Sequence, residues 1–268
     1  MDRFVYKKSA GITALSASMQ DFTYKKHAHE EYAIGVTLRG IQHFHLNGNL
    51  QLSHPSGIML FNPEDTHDGM AHDADGLDYV MLYIGPKLLL EVTGEKDIIR
   101  FPEPVVYNAQ LERKIRQLAQ TVLNGQNEAL SSEMLLSLAD SLIQTDHSAN
   151  YGNDNALIKK AKDSLHAHVK GILTLDEISG ELGMSKYQFI RSFKSAAGIT
   201  PYQYFLNAKV ECAKQLIEQT GDIYEAVTEY GFVDLTHLNK HFKSIYGITA
   251  FEYWSHIAHK GKRKELWR

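Results

Sequence analysis

From Phe22 to Ile84 the apolar, β-branched and aromatic residues come in short runs: Tyr32–Leu38, Ile41–Leu46, Leu50–Leu52, Gly57–Phe61 and Leu77–Ile84. Turn formers separate them at Arg39-Gly40, Asn47-Gly48-Asn49, Pro55-Ser56-Gly57 and Asn62-Pro63-Glu64-Asp65, where glycine or asparagine takes positive φ and proline fixes it. Closely spaced strands with no helix between them predict an antiparallel sandwich or small barrel. The period changes after Asn108: Leu111, Ile115, Leu118 and Val122, then Met134, Leu135, Leu138 and Leu142, recur at helical steps and predict two amphipathic helices. Asp146–Asn155 loses almost all apolar content and marks a linker, and everything beyond it has helical periodicity.

The helical half contains a repeat. Ser185 pairs with Asp234, Phe189 with Leu238, Phe193-Lys194 with Phe242-Lys243, Gly198-Ile199-Thr200 with Gly247-Ile248-Thr249, and Tyr204 with Tyr253, each 49 residues apart. Gly183-Met184 aligns with Gly231-Phe232 at 48, so the second copy has one extra residue in its turn. Each copy reads as a short helix ended by glycine and a second, capped helix. Leu175, Ile178 and Leu182 precede Gly183, with Ser185 and Gln188 as a capping box; Ile223, Ala226 and Val227 precede Gly231, with Asp234 as cap. This is the layout that presents a recognition helix to a DNA major groove.

Helical geometry turns Tyr187, Ile190, Arg191 and Lys194 away from the Phe189/Phe193 stripe, and turns Leu235, Thr236, Asn239, Lys240 and Lys243 away from Leu238/Phe242. An arginine fork suits guanine O6/N7, an asparagine amide suits adenine N6/N7, and threonine or leucine suits a thymine methyl, so Arg191, Asn239, Thr236 and Leu235 are candidate base readers. Lys194 and Lys243 lie further along and suit phosphates. The competing reading, two solvated helix faces, is weakened by the duplication. Between the copies Thr200 caps and Pro201 begins a helix running to about Gln219, with Phe205, Ala208, Cys212 and Leu216 on one face; it spans roughly 28 Å. Units at its ends would sit about 34 Å apart, one turn of B-DNA.

Charge sharpens this division. The 268 residues, 43% hydrophobic, carry a net −4. Residues 1–150 hold −7 and residues 151–268 hold +3, so the halves are expected to meet different partners. The lone Cys212 excludes an intramolecular disulfide and a thiolate metal cluster, and fits the cytoplasm. Met1–Lys8 lacks the apolar run of a secretion signal, and no stretch is apolar for long enough to span a membrane.

Gly183-Met184-Ser185, Phe193-Lys194, Gly198-Ile199-Thr200-Pro201-Tyr202-Gln203-Tyr204, Ala213, Leu216-Ile217 and Gly231-Phe232-Val233-Asp234 through His237-Leu238-Asn239-Lys240-His241-Phe242-Lys243 resemble the AraC/XylS-type bacterial transcription regulators over residues 156–256. The resemblance implies seven helices with two helix-turn-helix units on a linking helix, and base-reading positions at Tyr187, Ile190, Arg191, Leu235, Thr236, Asn239 and Lys240. The chain departs from that pattern at Thr249-Ala250, where the family has Thr-Pro, and at Ser179 and Val227, where it favours a small alanine.

Residues 22–84 resemble the cupin-type ligand-binding domain of such regulators, through His27-Ala28-His29, Gly40 and Asn62-Pro63-Glu64-Asp65-Thr66-His67. The resemblance implies an organic effector in a barrel mouth, held by His27, His29, Glu31, His67 and Asp68. A polar or cationic metabolite such as an amino acid or amine suits that set better than a fatty acid. No metal cofactor is expected, because Ala33 stands where metal-binding cupins place a glutamate; His27, His29 and His67 are the candidate ligands for Zn or Fe should one bind.

The expected fold class is α+β: a cupin-like antiparallel β-barrel (1–107), a helical linker (108–146) whose Leu111/Ile115/Leu118/Val122 stripe either dimerises or packs on its own barrel, a flexible linker (147–155), an all-α double helix-turn-helix domain (156–256) and a basic tail (257–268). The expected function is a ligand-responsive, sequence-specific transcription regulator. Its expected partners are double-stranded DNA, a small-molecule effector, a second copy of the chain and, for an activator, RNA polymerase. The alternatives are a metal-dependent cupin dioxygenase or isomerase with an appended DNA-binding domain, and a methyl-accepting repair regulator. The second needs reactive cysteines, and Cys212 lies on an apolar helix face.

Overall fold

A computed structural model describes residues 1–95, 97–125, 128–143 and 156–258. The chain divides into two compact units, residues 1–23 with 30–150, and residues 24–29 with 151–268. Among the described residues no helix is long and apolar enough to cross a membrane.

Among the described residues ten strands precede residue 107: β1 (Arg3–Ser9), β2 (Ile12–Met19), β3 (Thr23–His27), β4 (Tyr32–Arg39), β5 (Gln42–Leu46), β6 (Asn49–Ser53), β7 (Ile58–Phe61), β8 (His67–Ala71), β9 (Leu77–Ile84) and β10 (Val105–Val106). They form a six-stranded sheet, β1-β2-β9-β4-β7-β10, and a four-stranded sheet, β3-β8-β5-β6. All five runs expected from the sequence are strands. Of the expected sandwich or small barrel, the strands form two antiparallel sheets, and the barrel is not closed. Closure requires the edge strands to hydrogen-bond, and β10, only two residues long, ends the pairing of the larger sheet.

The β1–β2 hairpin went unread because Arg3–Ser9 carries three cationic residues among its apolar ones. Its turn, Ala10-Gly11, has φ of 51° and 73°, as a two-residue hairpin of the I′ kind requires. β8 (HDGMA) has too few apolar positions to show a strand period. A helix, α1 (Pro86–Thr93), follows β9 and also went unread.

The two expected helices are α2 (Ala109–Leu123) and α3 (Glu128–Ile143), and the Asn108 side chain accepts from the Gln110 and Leu111 amides to cap α2. Leu111, Ile115, Leu118 and Val122 are buried with Ile12, Ala14, Ile34, Leu82 and Leu138. The stripe therefore packs on its own sheet and on α3 and is closed to a second copy of the chain.

Seven helices follow residue 155 among the described residues: α4 (Ala156–Ala167), α5 (Leu175–Glu181), α6 (Lys186–Ala197), α7 (Pro201–Thr220), α8 (Ile223–Glu229), α9 (Leu235–Tyr246) and α10 (Ala250–Ile257). The expected linker, 147–155, and the tail from 259 onward lie outside the described residues.

Candidate functional site

Each repeat builds its helix pair from the same local parts. Gly183 and Gly231 take φ of 67° and 61°, a left-handed turn that ends the short helices α5 and α8. Ser185 opens α6 by accepting from the Gln188 amide, while Gln188 Oε1 accepts from the Ser185 amide at 3.0 Å. Asp234 opens α9 by accepting from the His237 amide at 2.7 Å. Gly198 and Gly247, at φ 75° and 77°, end α6 and α9 identically.

Phe189 and Phe193 are buried under α6, as Leu238 and Phe242 are under α9. The opposite faces meet solvent: Tyr187 is 69% exposed, Arg191 and Lys194 are exposed, and Ile190 is half-buried. On α9, Thr236, Lys240 and Lys243 are exposed, and Leu235 and Asn239 are half-buried.

Asn239 differs from the other outward residues. Its Oδ1 accepts the Ala250 amide at 3.0 Å, tying α9 to the first turn of α10. The repeat supplies the reason. In the first copy the residues equivalent to Asn239 and Ala250 are Ile190 and Pro201. Proline has no N–H to satisfy and faces no acceptor, whereas Ala250 keeps its N–H and meets a carbonyl. Thr249 completes this helix start in a capping box with Glu252, whose carboxyl is held below the ordinary value by the Thr249 amide.

α7, the 20-residue linking helix, has Thr200 as cap and Pro201 in its first turn as expected. Its buried side chains extend beyond the expected apolar stripe to Lys209, Glu211 and Lys214. Lys214 Nζ donates to Glu211 Oε1 at 3.1 Å and lies 3.8 Å from Glu218 Oε1. From the second copy, the Tyr246 hydroxyl donates to Glu211 Oε2 and the Tyr253 hydroxyl to Glu218 Oε1. Burial pushes the Glu211 carboxyl up, but the Lys214 charge and the bonds from Tyr246 and Lys214 outweigh it and hold the group below its ordinary range. Lys209 Nζ donates to the Gly171 carbonyl at 2.9 Å, and burial lowers its pKa. Sequence reading missed these residues because charges at helical spacing look like a solvated face. Cys212 is buried, as its apolar helix face implied.

In the N-terminal region, His27 ends β3 and His67 begins β8. Their Nδ1 atoms lie 2.7 Å from the Lys25 carbonyl and 2.8 Å from the Asp65 carbonyl. A carbonyl only accepts, so Nδ1 is the donor in each ring. His27, His29 and His67 are all buried and offer nitrogens within 4.8 Å of one another. Three imidazoles, two of them oriented by carbonyls, suit Zn or Fe, but the buried residue at the carboxylate position of metal cupins is Ala33. Glu31 is half-buried. Asp68 is engaged by its own sheet: its Oδ1 accepts the His45 amide at 2.7 Å.

A β-rich domain followed by two helix pairs of one capped design is the architecture of a ligand-responsive transcription regulator, and comparison with known proteins gives its family. Residues 9–139 match the AraC-like ligand binding domain and residues 178–255 a helix-turn-helix domain family. An uncharacterized HTH-type transcriptional regulator, YbfI of Bacillus subtilis (strain 168), is 28% identical over 223 residues, spanning 80% of this chain and 81% of that protein. A lysine-to-alanine variant of apo ToxT from Vibrio cholerae strain SCE256 has a TM-score of 0.63 at 13% identity, covering 94% of this chain and 100% of its own. Wild-type ToxT from that strain, bound to an unsaturated fatty acid, has a TM-score of 0.57 at 12% identity, covering 96% and 95%. At these identities ToxT speaks for the fold alone. The chain belongs to the AraC-type transcription regulators and carries both their ligand-binding and DNA-binding domains.

Proposed function

We propose that α6 and α9 are the two recognition helices, and that each enters a major groove of one DNA duplex. Tyr187, Ile190 and Arg191 face bases from α6, with Arg191 on a guanine. Leu235, Thr236, Asn239 and Lys240 do so from α9, and Lys194 and Lys243 meet phosphates. Asn239 contributes through its Nδ2 donor, because its oxygen is committed to Ala250. The observation that carries this reading is the pair of exposed polar faces on two helices that share caps and buried anchors. Arg191→Ala in the full chain tests it: specific affinity falls by about 1–3 kcal/mol and one base position relaxes. An unchanged footprint and affinity would remove Arg191 from the interface.

We further propose that the N-terminal domain holds a polar or cationic effector, such as an amino acid or amine, through His27, His29, Glu31, His67 and Asp68. Three buried imidazoles, His27, His29 and His67, support a polar ligand there. The protein acts in the cytoplasm without catalysing a reaction, and the regulators named above lend no support to a metal-dependent dioxygenase or isomerase. Self-association, and contact with RNA polymerase by an activator, would use surfaces other than the buried α2 stripe. A thermal-shift screen of the full chain against amino acids, amines, Zn and Fe tests the effector class, since a ligand of the folded state raises stability with its concentration. A stabilising amine whose effect is lost in His67→Gln supports the assignment. Stabilisation by metal alone contradicts it.

A further inference from the structure

On the outer face of the six-stranded sheet the cover given by α2 runs out. β2 shows why: on this face Ile12 and Ala14 lie in the core shared with α2, and the next two residues, Ser16 and Ser18, are half-buried serines. Too small to fill the space beside the last turns of α2, they leave a cleft of about 440 Å³, within the range of small-molecule sites.

Strand register orders its floor. Arg3 stands opposite Ser18, and Val5 opposite Ser16, which stands opposite Val80. A polar row carrying a guanidinium is thus followed, two residues or about 7 Å along the strands, by an apolar row. α2 adds Arg116 and Leu123 to the lining.

The charges favour an anion. Arg3 makes no side-chain hydrogen bond or ion pair among the described residues. Arg116 pairs with Glu112 at 3.1 Å in a bond that occupies one nitrogen of its fork. Against these stands the carbonyl end of α2, worth roughly half a negative charge. Asp78, beyond Ser18 in the same row, is already neutralised by the Arg39 fork at 2.7 Å.

We propose that this cleft binds a small organic carboxylate, its head held by Arg3 and Arg116 and its short aliphatic body resting on Val5, Val80 and Leu123. The site is separate from the histidine-lined effector site, and an occupant would bridge β1 to α2. Titration calorimetry of the full chain with hexanoate at low ionic strength tests this, with hexan-1-ol as the uncharged control. The expected result is saturable binding of one hexanoate per chain, with hexan-1-ol weaker by about tenfold or more. Arg3→Gln and Arg116→Gln each weaken hexanoate by about 10- to 100-fold, the worth of a charge-assisted bond, while His67→Gln leaves it unchanged. Circular dichroism checks that the variants fold. Absence of saturable binding, equal binding of the alcohol, arginine variants that bind like the parent, or loss of binding in His67→Gln would each overturn the proposal.

Discussion

Phe193 and Phe242 occupy the same place in a 49-residue repeat, yet the surroundings that fix them differ. Phe193 sits in an apolar cluster with Ile158, Leu165, Ile178, Phe189 and Phe205. Its edge-on ring partners are Phe189 at 5.7 Å and Tyr204 at 5.5 Å. Phe242 packs at a tilt against Tyr246 and Tyr253, whose hydroxyls donate to the buried Glu211 and the largely buried Glu218 of α7. The Phe193 anchor of α6 thus sits in an apolar cluster, whereas the ring partners of the Phe242 anchor of α9 are keyed to the linking helix by hydrogen bonds to its carboxylates. A repeat alike in outline can thus hold two units with different tolerance: apolar packing accepts small adjustments, whereas a buried ion pair accepts one geometry.

The largest effect expected from this difference is in stability. Glu211→Ala leaves Lys214 charged and buried, and should destabilise the chain by about 3–5 kcal/mol in denaturant melts. Replacing both, Glu211→Leu with Lys214→Met, should recover most of that loss, because a well-packed apolar pair often matches a buried ion pair. A double variant as unstable as the single one would contradict the keyed attachment. The pH dependence follows from the same pair. A carboxyl depressed in the folded state contributes stability that is present above its unfolded value of 4.5 and is lost as pH falls through the folded value. Melts between pH 7 and 5 should therefore show no loss from Glu211, with the decline confined to more acid solution and absent in Glu211→Gln.

A smaller effect separates the helix starts. Asn239→Ala orphans the Ala250 amide and should cost about 1–2 kcal/mol. With Ala250→Pro already in place, as at Pro201 in the first copy, the same substitution should cost about 0.5–1 kcal/mol less. Additive costs in that double-mutant cycle would mean that the 3.0 Å bond contributes nothing. Smallest is Lys243→Ala, which should weaken binding to all DNA sequences alike and lower the salt slope by about one; loss confined to one sequence would move Lys243 from phosphate to base.

Local signals were the legible ones. Gly183, Ser185 and Gln188 predicted a turn and a capping box because glycine at positive φ and a short hydroxyl leave few alternatives, and both formed. The offset alignment likewise located the capped helices α6 and α9. Long-range pairing was not legible: nothing in Arg3–Ser9 announces its place beside β2, and Glu211, Lys214 and Glu218 carry the spacing of a solvated face yet lie in a helix with both copies packed around it. The bond from the Ala250 amide to Asn239 was not legible either, because only the fold brings Ala250, eleven residues on, beneath it. The histidines of the N-terminal region were found through family resemblance rather than any periodicity.

On the function proposed above, one chain reads two DNA elements through α6 and α9. Selection of binding sites from random DNA by the full chain, repeated with Arg191→Ala and with Lys240→Ala, tests it most directly. The expected result is a motif of two elements about one helical turn, roughly 10 base pairs, apart, in which Arg191→Ala relaxes one element and Lys240→Ala the other. A single-element motif, or two variants that relax the same element, would contradict it.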